Sequence, residues 1–114
     1  VKLEPEQDIT PDCWVILEIQ DPIHPGYPPH QKILSGWTGS YLYSDYWRMS
    51  SLIKKLSIKV NQDFFTVETV SGSSYVLWKN REGLQISNAD VYSELKERFG
   101  DSIEIVKLGL KTND

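Results

Sequence analysis

No proline occurs after residue 29. From there on the chain keeps every backbone donor and is free to build sheet ladders and helices. Cysteine is reduced to one residue, Cys13, so no internal disulfide framework and no cysteine-rich metal cluster can form. A lone thiol suits a reducing cytoplasm. It heads the apolar run Trp14-Val15-Ile16-Leu17 and reads as a small buried side chain rather than a nucleophile. That run falls far short of the ~20 apolar residues that span a bilayer, so no membrane is expected. The acidic, polar beginning does not read as a secretory signal.

Catalytic signatures are missing as well. There is no Gly-Xaa-Ser-Xaa-Gly elbow, Walker loop, dinucleotide fingerprint or paired His-Glu helix. The two histidines, His24 and His30, share a loop with Asp21, but their spacing across prolines matches no standard metal-ligand pattern. Carboxylates are plentiful, yet none lies in an apolar stretch that would tune it for acid–base work. The expectation is a protein that is not an enzyme, with no metal and no cofactor.

What is present is the composition of one folded domain. The 114 residues are 39% hydrophobic and 25% charged, enough for one core that buries roughly 65% of the extended chain's surface. The net charge of −4 argues against a general nucleic-acid binder. The charge is unevenly placed: −5 over residues 1–30, +3 over 31–86 and −2 over 87–114. Residues 1–11 read as an acidic N-terminal arm and 12–114 as the single globular domain.

Local patterns divide that domain into strands and one helix. Cys13 to Ile19 reads as a first strand bounded by proline segments, followed by a stiff Pro- and Gly-rich loop over 21–30. Gln31 to Trp37 and Tyr46 to Ser50 read as the next two strands. Over 52–60 the alternation points Leu56, Ile58 and Val60 inward, with Lys55, Ser57 and Lys59 on a wet basic face. Phe64 to Val70 and Ser74 to Lys79, joined by Ser71-Gly72-Ser73, complete a three-stranded meander. Val91, Leu95 and Phe99 then recur at helical spacing. A cap from Ser87 with Asp90, and a stop at Gly100, predict a helix over 88–99. Glu94 and Arg98 can pair on its wet side. Ser102 to Leu108 reads as the last strand. The fold class is α+β: an antiparallel, strongly curved sheet of about five or six strands with one C-terminal helix packed on it. Its core draws on Trp14, Trp37, Trp47, Phe65 and Leu77.

Residues 36–51 concentrate five aromatic rings among glycines and serines, with the acid–base pair Asp45 and Arg48. Trp37 and Trp47 sit on strand-like stretches and are expected in the core. Tyr41, Tyr43 and Tyr46 lie in or beside the turn between them, where rings can face water. With Arg48 they form the candidate binding surface, because Tyr, Trp and Arg dominate interface hot spots. The alternative is single-stranded nucleic acid stacked on the rings, with Lys55 and Lys59 joining Arg48 on a basic face.

Three short motifs carry a resemblance. They are Gly36-Trp37-Xaa-Gly39, Asp45-Xaa-Trp47-Arg48-Met49-Ser50-Ser51 and Ser71-Gly72-Ser73-Xaa-Tyr75-Xaa-Leu77. Their order resembles a set of small bacterial and phage or prophage proteins of unassigned activity, over about residues 13–80. The resemblance implies an accessory protein of a mobile element that binds a host or phage protein, for example as an inhibitor in anti-defence or immunity. It implies no catalytic residue and no cofactor.

Overall fold

The apolar run Cys13–Leu17 leads a central strand, Cys13–Ile19, and these five leading residues are buried on both faces of the sheet. The strands are β1 (Cys13–Ile19), β2 (His30–Trp37), β3 (Tyr46–Met49), β4 (Lys59–Val60), β5 (Phe64–Glu68), β6 (Ser74–Trp78) and β7 (Ile103–Val106). The helix α1 (Ile86–Phe99) lies between β6 and β7. The computed structural model describes residues 8–21, 23–24, 26, 28–38, 46–54 and 57–108.

All strand pairings are antiparallel, and with α1 they make an α+β fold. The strands do not form the single sheet that alternation suggested. They divide into a four-stranded sheet, β3-β2-β1-β7, and a three-stranded sheet, β4-β5-β6. The cause is a corner at Ser50. Its hydroxyl accepts the Ile33 N–H at 2.8 Å and its own N–H donates to the Ile33 carbonyl at 2.9 Å, which ends β3. Beyond it the Ile53 N–H donates to the Gln31 carbonyl, Ile53 pairs with Thr69, and the Val70 N–H donates to the Leu52 carbonyl. One short segment thus bonds to both sheets. A second junction forms where Ile9 pairs in parallel with Tyr75 before the chain enters β1.

Alternation along β1 then builds two cores. Trp14 and Ile16 join Ile33, Phe65, Val67, Tyr75 and Leu77 between the sheets. Trp14 and Phe65 meet edge to face at 5.9 Å, and the Trp14 indole N–H donates to the Trp78 carbonyl at 2.9 Å. Val15 and Leu17 face the other way, with Leu34 and Ile103, against Val91, Tyr92 and Leu95 of α1. Trp14, Phe65 and Leu77 are therefore core residues as expected.

Three local expectations are corrected. The helix starts at Ile86, with Gln85 rather than Ser87 at its N-cap. Asn88 reaches back to accept the Gln85 N–H at 2.9 Å and donates to the Leu34 carbonyl at 3.4 Å, which ties the helix start to β2. Glu94 and Arg98 form no ion pair, although both are described. The strand expected over 52–60 shrinks to β4, with Val60 exposed instead of inward; Lys55 and Leu56 lie outside the described residues. The two glycine turns hold: Gly72 (φ 94°) closes the β5–β6 hairpin and Gly100 (φ 57°) ends α1.

Candidate interaction surface on strand β3

Strand β3 is an edge of the four-stranded sheet, and Tyr46, Trp47 and Arg48 are exposed in succession along it. Alternation sends them to different faces. Tyr46 and Arg48 share a face with Trp37, while Trp47 points to the other side with Met49.

Trp47 corrects the expectation of a core tryptophan: it is 49% exposed. It pairs across the strands with Gly36, which has no side chain to cover it. Trp37 is half-buried rather than a core residue. Its indole lies flat against Tyr46, with centroids 5.0 Å apart and planes at 8°. The outer ring of that stack, Tyr46, is 56% exposed. The stack is held from below: the Trp37 indole N–H donates to the Thr10 carbonyl at 3.3 Å, and the Thr38 N–H donates to the Asp12 carboxylate at 2.8 Å. Asp12 in turn meets Arg81 at 3.6 Å. Tyr46 thus stacks on a ring whose own position is fixed, which lessens the entropy it loses on contact.

Arg48 is exposed, yet its charge reaches into the structure. Burial pushes the Tyr75 phenol above the ordinary tyrosine range, and the positive charge of Arg48 draws it part of the way back. Of the remaining candidates, Tyr41, Tyr43, Asp45 and Lys55 lie outside the described residues. Lys59 is exposed on β4, in the other sheet from Arg48. The described cations of the expected nucleic-acid face thus sit on separate sheets.

The proline loop holds one local pair. His24 Nδ1 lies 2.9 Å from the Asp21 carboxylate, whose other oxygen accepts the Ile23 N–H at 2.9 Å. These bonds, the His24 contact first, hold the Asp21 carboxyl below the usual aspartate range. His30 begins β2 and adds the least of the influences that lower Asp21, an electrostatic one. Among the described residues no group of three His, Cys, Asp or Glu side chains could hold a metal ion. Nor, among them, is any helix long and apolar enough to cross a membrane.

Sequence reasoning missed Trp47 and Trp37 as parts of the exposed surface. The local signal that could have found Trp47 was Gly36, but only once the β2–β3 register was known. No protein-family model, curated protein or solved structure matches the chain.

Proposed function

We propose that this domain is a non-enzymatic protein-binding module whose contact centre is the edge strand Tyr46-Trp47-Arg48 with the stacked Trp37. The observation that carries this reading is the exposure of Tyr, Trp and Arg in succession on an anchored edge strand. These three residue types contribute most to interface energy, and large rings left wet on a rigid support suit a partner surface. The strand edge adds backbone donors and acceptors that an extended segment of the partner can pair with. A role as a phage or prophage inhibitor of a host protein rests on the motif resemblance and gives the partner its class.

The test is affinity capture from the cells that encode the protein, with wild type and the double variant Tyr46→Ala, Trp47→Ala compared side by side. Wild type retains a discrete partner and the double variant loses it, while circular dichroism shows both equally folded. Equal recovery by both proteins contradicts the reading.

A further inference from the structure

Away from β3's exposed rings, the end of the helix-facing core opens into a cleft of about 520 Å³. Ligand pockets run from ~300 to 1,000 Å³. Its walls are apolar: Ile19, Met49 and Ile103 from the sheet, and Leu95 and Phe99 from the last turns of α1. Phe99 belongs to the apolar stripe of the helix, yet it remains 49% exposed because this end of the sheet face is uncovered.

The charges at the lip are not equivalent. Asp21 is engaged by His24 and by the Ile23 N–H. Lys96, near the same end of the helix, donates its ammonium to the Ile103 carbonyl at 2.8 Å. Lys32 differs from both. It is half-buried opposite Leu17 on the helix-facing side of β2, lines the cleft, and its ammonium makes no hydrogen bond or ion pair among the described residues. An ammonium at the margin of an apolar cavity, with no ion pair, gains a charge-assisted hydrogen bond from an anion placed beside it. His30, two residues before it on the same face, adds an imidazole at the lip.

We infer that this cleft binds a small amphipathic monocarboxylate, with its apolar body between Leu95, Phe99, Met49 and Ile103 and its carboxylate on Lys32. Tyr46, Trp47 and Arg48 do not line this cleft, and the site would stand if their surface had no partner.

The test uses octanoate as the probe, with 1-octanol and octylammonium as neutral and cationic controls, followed by NMR of the intact chain. Octanoate shifts the Met49 methyl and the Leu95 and Ile103 signals and leaves the Trp47 indole signal in place. It binds more tightly than either control. Lys32→Met weakens octanoate about tenfold, the loss expected for one charged hydrogen bond, and leaves octanol unchanged. Leu95→Trp, which fills the cleft, abolishes octanoate shifts. The inference is overturned if octanol or octylammonium binds as tightly as octanoate, or if Lys32→Met has no effect. Shifts at Trp37, Tyr46 and Trp47 instead of the cleft, or no binding at millimolar octanoate, also overturn it.

Discussion

The hydroxyls of Ser51 and Ser71 lie 2.9 Å apart and join segments 20 residues apart in the chain. Ser51 also accepts the Ser71 N–H at 3.2 Å, and Ser71 meets the Thr69 hydroxyl at 3.2 Å. The Ser50-Ser51 and Ser71-Gly72-Ser73 motifs that carried the resemblance are thus in contact. Together with Ser50 on Ile33 they fasten the corner between the two sheets. Their described serines thus serve the fold.

Ser51→Ala removes both the hydroxyl bond to Ser71 and the acceptor of the Ser71 N–H. These groups are exposed, so water replaces part of what is lost. Urea unfolding should show a loss of about 0.5–1.5 kcal/mol, with partner capture through β3 unchanged. A variant as stable as wild type would remove the corner's energetic role.

Asn88 is fully buried and holds Gln85 on one side and Leu34 on the other. Asn88→Ala leaves a backbone N–H at the helix start without its acceptor and opens the link from α1 to β2. The expected cost in urea unfolding is about 2 kcal/mol, larger than for Ser51→Ala because the bond to Leu34 is buried.

The Asp21–His24 pair makes a pH prediction. Asp21 is held ionised below the ordinary aspartate range, chiefly by His24. Its contribution to the loop is present above the unfolded value and is lost as pH falls through the lowered folded value. A carboxyl-carbon NMR titration should therefore place the Asp21 midpoint below that of an unstructured aspartate. His24→Ala should move it back up. An unshifted midpoint in wild type would contradict the pairing.

Features set by neighbouring residues could be read from the chain. The bounds of β1 agree with the apolar run, the Ser71-Gly72-Ser73 turn needs a positive φ that Gly72 supplies, and Gly100 stops the helix. Features set by distant partners could not. Trp47 is wet because Gly36 lies opposite it, a fact of register. The helix starts at Ile86, capped by Gln85, where Asn88 also has Leu34 to bind, whereas the chain alone offers a local cap at Ser87 with Asp90. The two sheets separate because Ile53 finds both Gln31 and Thr69. The cleft beside Lys32 draws on β1, β2, β3, β7 and α1 at once, and no segment of the chain announces it. Tyr46 and Arg48 are exposed, as their residue types suggest, whereas Trp47 is exposed where its strand-like setting suggests burial.

The central claim is that β3 meets a partner protein. Its most direct test places the photo-crosslinking residue p-benzoylphenylalanine at position 47 and, as a control, at position 78, where Trp78 is also exposed but lies on the other sheet. Irradiation in the cells that encode the protein should give a discrete protein adduct from position 47 and none from position 78. Adducts of equal yield from both positions, or none from position 47, would contradict the account.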